Sequence, residues 1–362
     1  MKQRIYLALW TIVIPIIAWL AYFGISLGLE GALFPTLLAL LLVGSVLAAV
    51  HHAEVVAHRV GEPFGTFLLA LAITIIEVAL IVSLMLTDGG VGTAALARDT
   101  VLAAVMLILT GIVGICLLVG GARYKEQTFS LQGVSAALVT LTAILVFTLI
   151  LPNFTTSRPG PEYSPVQLGF IAIICLILYI AFILFQSIGH RAFFLPPDAD
   201  GNEDVYAELP NKKETTGSAL LLLLCLGIVV LLAKALAPDI ERNVAKAGAP
   251  KSLVGVIIAA VVLLPEGLAA YRAARKNRIQ TSLNLALGSA LASIGLTLPA
   301  VAAVSIITEM RITLGIDIKA MVLLVLAQFT IMLSLATGRT NILQGIVLLM
   351  IFLVYIFTII VP

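Results

Sequence analysis

Charge is what this sequence has least of. Only 11% of its 362 residues are Asp, Glu, Lys or Arg, against about 25% in a water-soluble domain. A formal net charge of +2, with basic residues scattered between apolar runs, excludes a nucleic-acid partner. Cysteine is scarce as well. Cys116, Cys175 and Cys225 each fall inside an apolar run, and no pair has zinc or redox spacing, so they read as packing residues. HExxH, paired Asp and Cys/His clusters are missing, which leaves a membrane-embedded enzyme as a distant rival and gives no reason to expect a cofactor. GISLG (24 to 28) spells a serine-hydrolase elbow, yet it closes an apolar run rather than joining a strand to a helix. Period-2 alternation is also absent, which excludes a transmembrane β-barrel.

Long apolar runs are what the chain has in plenty, with 61% hydrophobic residues and a mean hydropathy of +1.15. Runs sufficient for a hydrocarbon core of roughly 30 Å lie near 5–27, 33–58, 63–87, 98–121, 131–151, 166–188, 218–236, 251–272, 281–306, 318–336 and 342–361. The expectation is an all-α polytopic membrane protein of eleven spans, because each run must satisfy its own backbone in lipid. Lys2 and Arg4 precede a first run too long for a signal-peptide core, so that run reads as a retained span. One long polar insertion, His190 to Gly217, carries six acidic residues and parts six spans from five.

A cytoplasmic N-terminus puts thirteen of the 21 basic residues inside, the cluster YRAARKNR (271 to 278) weighing most. The expected location is a bacterial inner membrane. Sorted by depth, most acidic residues lie in loops or near span ends. Glu77 and Glu266 do not. Each comes about 14 or 15 residues into its run, which at about 1.5 Å per residue is the midplane, approached from opposite sides. Their spans are third and eighth, and an odd offset of five reverses orientation. An inverted repeat follows: a leading helix (1–30), a first five-helix repeat (31–189), an acidic cytoplasmic loop (190–217) and a second, inverted repeat (218–362).

A buried carboxyl bonded to a nearby hydroxyl would explain one such glutamate. Two at matched depth in mirrored helices point to an ion or proton site, since a membrane-embedded charge costs roughly 2.5 to 3.5 kcal/mol. Burial penalises the charged form, so each carboxyl holds a proton until a cation displaces it. Two carboxylates take two protons or one divalent cation, and competition between these couples their fluxes. Pro265 and Gly267 beside Glu266 predict a break in that helix, freeing carbonyl ligands. The ninth span carries Asn284, Gly288, Ser289, Ser293 and Thr297, a face that suits close helix packing or supplies oxygen ligands. HHAEVVAHRVGEP (51 to 63) sets Glu54 and His58 four apart, as a solvated helix end, a pH sensor or a cation vestibule.

The run HAEVVAHRVGEPFGTFLLALAITIIE resembles the first repeat of the calcium/proton exchanger family, within the calcium:cation antiporter superfamily. Glu54, Gly61, Glu62, Gly65 and Glu77 fall on its pattern. LLPEGLAAYRAARKNRIQTSLNLALGSALASIGLTLP is similar to the matching second repeat, with Glu266 on its glutamate and Gly288 and Ser289 on its G-S pair. TGRTNILQGIVLL resembles the family's closing segment, so the likeness spans 51 to 362, most of all to the bacterial ChaA-type branch. It implies exchange of Ca2+ for protons at the two glutamates. Departures bear on the ion: Ile73 and Thr74, and Val262 and Leu263, stand where the family has G-N, and Ala103 and Ala104 replace the first G-S pair. Ca2+ takes six to eight oxygens, and the missing amides and hydroxyl favour Na+ or K+ as the alternative cargo. The expected site is Glu77 and Glu266, with Thr74, Ser289 and Asn284 as further ligands. Glu54, Glu62 and His58 mark the cytoplasmic approach. The expected partners are the transported ions and the lipid bilayer.

Overall fold

The computed structural model describes residues 8–26, 28, 33–60, 71–72, 74–79, 81–82, 94–195, 210–246, 248, 250 and 252–361. Eleven helices occur among them. They are α1 (Leu9–Ser26), α2 (Phe34–Val60), α3 (helical over 74–79), α4 (Ala97–Tyr124), α5 (Leu131–Phe154), α6 (Pro165–Gly189), α7 (Lys212–Lys246), α8 (Ser252–Arg275), α9 (Ile279–Thr308), α10 (Ile318–Leu335) and α11 (Ile342–Ile360). Among the described residues nine of these, α2 and α4 to α11, are long and apolar enough to cross a bilayer, and α1 is a shorter apolar helix. Most of the third expected span lies outside the described residues.

Local chemistry starts these helices where the apolar runs begin. Ser164 and Gln167 form a reciprocal capping box on α6, with Pro165 in the first turn, and Asn341 with Gln344 does the same for α11. Asp317 accepts from the Ala320 N–H at the start of α10. The helix α7 outruns its expected span of 218–236 at both ends. The Asn211 N–H, bonded to Glu214 Oε2 at 2.8 Å, starts it early, and it continues through Pro238. Its 35 residues span about 52 Å, well beyond the hydrocarbon core, so polar turns at both ends extend into the interfaces. Wide π turns interrupt α4 at Leu107–Ile112, α5 at Val146–Ile150 and α6 at Phe185–Gly189.

Two compact units result, and they do not follow the order of the chain. Residues Met1–Leu84 and Ala199–Ala247 form the first, Met85–Asp198 and Gly248–Pro362 the second. In the first unit α1 is tied to two partners: Trp19 Nε1 donates to the Leu224 carbonyl of α7 at 3.2 Å, and His52 Nε2 of α2 lies 3.2 Å from the Thr11 carbonyl.

In the second unit α4 and α9 are the most enclosed helices. Glycines set the approach of α4 to α11. A Cβ on Gly345 would stand 2.4 Å from the Leu118 nitrogen, and one on Gly121 would stand 2.6 Å from the Ile342 nitrogen. Linkers from the two halves then pair at both ends of the unit. At one end β1 (Glu126–Thr128), after α4, runs antiparallel to β2 (Arg339–Asn341), before α11. At the other end the linker after α9 bonds the linker after α5: the N–H groups of Leu314 and Gly315 donate to the Pro161 carbonyl. A linker following the third helix of one repeat meets the linker preceding the fifth helix of the other, once at each face. That exchange is what an inverted repeat requires, so the fold is one leading helix plus two inverted five-helix repeats.

Candidate ion-binding site

The second unit contains Glu266. It stands on α8, nine residues before the Arg275 end and fourteen after Ser252, and is half-buried. Ser289 of α9, ten residues after Ile279, is at the same depth and donates its hydroxyl to Glu266 Oε1 at 3.3 Å. Gly267 abuts the Ile112 side chain, where an added Cβ would sit 3.2 Å from its δ-carbon. The carboxylate turn of α8 therefore packs on the π turn of α4, a local widening that recurs at functional sites. The expected break at Pro265 does not occur: α8 runs unbroken through it. Proline removes a single N–H and frees one carbonyl, that of Val261, which a membrane helix tolerates among packed neighbours.

Asn284 is engaged elsewhere. Its Nδ2 donates to the Phe194 carbonyl at 2.6 Å and its Oδ1 accepts from Gln280 Nε2 at 2.9 Å. The oxygen expected as a ligand is thus taken by Gln280, while the amide nitrogen braces α9 against the short 3-10 turn Arg191–Phe194. Two residues that sequence reasoning passed over hold this end together. Gln280 Oε1 accepts from the Ser130 N–H, and Gln127, buried, donates to the Ala274 carbonyl at 3.2 Å and to Asn277 Oδ1 at 2.9 Å. A glutamine in a linker or in the first turn of a helix carries no sequence signal that separates such a brace from a solvated residue.

The first unit contains Glu77 and Thr74, one helical turn apart on α3 and each 4% exposed. Glu54 is exposed on α2, and His58, one turn on, is half-buried. Nearby, Arg59 Nη1 donates to the Pro210 carbonyl at 3.3 Å. Glu62 lies outside the described residues. Among the described residues no group of three His, Cys, Asp or Glu stands ready as a metal centre. The oxygens on offer are those of Glu77 with Thr74 and of Glu266 with Ser289, an acidic and a hydroxyl oxygen in each unit.

The family described as sodium/calcium exchanger protein matches residues 31–188 and 217–361. A putative ionic transporter, y4hA, of Sinorhizobium fredii is 45% identical over 315 residues, covering 87% of this chain and 85% of its own. The sodium-potassium/proton antiporter ChaA of Escherichia coli is 32% identical over 354 residues, 96% of this chain and 95% of its own. Among solved structures, native YfkE superposes with a TM-score of 0.71 at 17% identity, covering 97% of this chain and all of the other. The H+/Ca2+ exchanger CAX gives 0.71 at 15% identity, covering 96% and 87%. Those structural likenesses speak for the fold. The family match over both halves and the long E. coli alignment go further: this chain belongs to the sodium/calcium exchanger protein family.

Proposed function

We propose that the protein is a secondary cation/proton antiporter, working by alternating access, in which Glu77 and Glu266 are the exchanging carboxylates. The observation that carries this reading is Glu266 at mid-depth with the Ser289 hydroxyl on its carboxylate, the arrangement an ion-exchanging acid needs. Burial of Glu77 beside Thr74 supplies the second acid and hydroxyl. Protonated, such a carboxyl is neutral and cheap to keep in lipid; ionised, it needs a cation. A site in which the empty, doubly ionised state is too costly to move transports only when loaded, and exchange follows from that cost.

Ca2+ against protons is the first reading of the cargo, since two carboxylates balance one divalent ion. Na+ or K+ is the second, favoured by the engagement of Asn284 with Phe194 and by the E. coli relative described as a sodium-potassium/proton antiporter. The two halves 31–189 and 218–362 serve as the repeat pair around the acidic segment 190–217, and Glu54, Glu62 and His58 as the approach from the cytoplasm. The N-terminus faces the cytoplasm of a bacterial inner membrane. Supporting this, Tyr124 bonds the Arg275 carbonyl and Gln127 bonds the 274–277 turn, which gathers Arg123, Lys125, Arg272, Lys276, Arg278 and Arg339 at one end of the second unit.

Proteoliposomes with an imposed pH gradient test the reading. Addition of Ca2+, Na+ or K+ dissipates the gradient for the wild type, and Glu77→Gln and Glu266→Gln each abolish the response. Persisting exchange in either variant makes that glutamate structural.

A further inference from the structure

The two ends of the second unit differ in charge. At the end away from β1 and β2, among the described residues, Arg98, Arg158, Arg311 and Lys319 are matched one for one by Asp99, Glu162, Glu309 and Asp317, and Arg98 Nε holds Asp99 Oδ1 at 2.8 Å. At the end bearing β1 and β2, Arg123, Lys125, Arg272, Arg275, Lys276 and Arg339 are all exposed. Among the described residues the one carboxylate within ion-pair distance of any of these six is Glu126, 3.7 Å from Arg339.

Positive-inside sorting explains the sign of this end, since a basic residue in any short loop counts toward orientation. It does not require the charges to be gathered, and here specific bonds gather them. Tyr124 donates its hydroxyl to the Arg275 carbonyl at 3.1 Å, and Gln127, 2% exposed, donates to the Ala274 carbonyl and to Asn277 Oδ1. Strand pairing sets Arg339 opposite Thr128. The ends of α4 and α8 and the start of α11 are thus fixed around one patch. Two of its turns are held at non-glycine residues of positive φ, Lys125 at 65° and Asn277 at 60°, a backbone form that persists only where the surroundings over-determine it.

Like charges fixed side by side repel one another and are relieved by a bound anion. What lies deeper decides which anion. Leu268, one turn before Arg272 on α8, is 41% exposed, and Ile115, two turns before Arg123 on α4, is 43% exposed. On a membrane helix such side chains face acyl chains. A molecule with an anionic head at the interface and a hydrocarbon body meets both parts of this surface, whereas a free phosphate meets only the basic part.

We propose that this patch is a binding site for an anionic phospholipid, its phosphate among the basic side chains and its chains against Leu268 and Ile115. Guanidinium forks suit phosphate oxygens, and four of the six basic residues are arginines. Bound there, the lipid joins the ends of α4, α8 and α11 and stabilises the second unit by mass action.

The test uses the full chain in neutral detergent, titrated with phosphatidylglycerol or with phosphatidylcholine of the same chain length, the bound lipid being counted by native mass spectrometry. Phosphatidylglycerol is expected to bind in preference, its affinity falling about fivefold for each of Arg123→Gln and Arg272→Gln, the equivalent of one basic residue at an anionic surface. Arg311→Gln, at the opposite end, keeps the preference. Both substituted patch residues are exposed, so the double variant retains the wild-type unfolding temperature without added lipid and loses the rise that phosphatidylglycerol gives. Equal retention of the two lipids overturns the site. So does a loss in Arg311→Gln equal to that in Arg272→Gln, which marks diffuse attraction. Displacement of the lipid by millimolar inorganic phosphate marks a free-anion site and overturns the lipid as occupant.

Discussion

At the scale of the residue, the informative contrast is between Ser289 and Asn284, two polar side chains on α9 that the sequence offers with equal claim. Ser289 faces Glu266, and Asn284 faces a carbonyl 90 residues away in the chain. A pattern of polar residues at helical spacing shows which face of α9 is polar but not which partner each member meets, since that depends on which loop packs there. The two glutamates stand out in the sequence because the cost of burying a carboxylate in lipid is a property of the residue and its depth alone. Ser289→Ala removes the hydroxyl from the carboxylate and should slow exchange about three- to tenfold, with Ser289→Thr close to wild type, read from initial rates of gradient dissipation. Asn284→Leu should leave the cation preference unchanged while lowering the midpoint of thermal unfolding in detergent, because it unties α9 from Phe194 without touching Glu266.

At the scale of the element, helix positions follow from apolar run length: among the described residues nine of the eleven expected spans coincide with long helices, within a few residues at most ends, and a tenth with the shorter α1. The exceptions have local causes. The overrun of α7 comes from a polar helix start at Asn211 and Glu214, which hydropathy does not register, and the continuity of α8 shows a membrane helix absorbing a proline. The π turns in α4, α5 and α6 were not legible, since each depends on what packs beside it. Close glycine contacts make the contact of α4 with α11 the most sensitive to bulk. Gly345→Leu is expected to destabilise the protein by about 1 to 3 kcal/mol or more through overpacking, seen as a lower unfolding temperature and poor recovery from the membrane.

At the scale of the whole molecule, the topology makes a prediction that does not depend on the ion. If all eleven expected spans cross the bilayer, the two ends of the chain lie on opposite faces, with the segment 190–217 on the side of the N-terminus. Reporter fusions test this. A periplasm-dependent phosphatase should be inactive when inserted at 200 and active when fused after 361, and a fluorescent protein should give the opposite pattern. Cys116, Cys175 and Cys225 are all buried, so the natural chain offers a silent background for maleimide mapping with single cysteines placed in the linkers.

The pairing of β1 with β2 has a consequence for how the protein is made. Thr340 meets Gln127 at a sequence separation of 213, and these two short strands are each other's only partner in the sheet. Contacts so distant in sequence form late and slowly. Until the segment 339–341 has been synthesised and threaded into place, the linker 126–128 presents an open edge of unpaired N–H and C=O groups beside a cluster of arginines. A polypeptide interrupted anywhere before 339 therefore carries a lasting mark of incompleteness on the face where the basic residues gather.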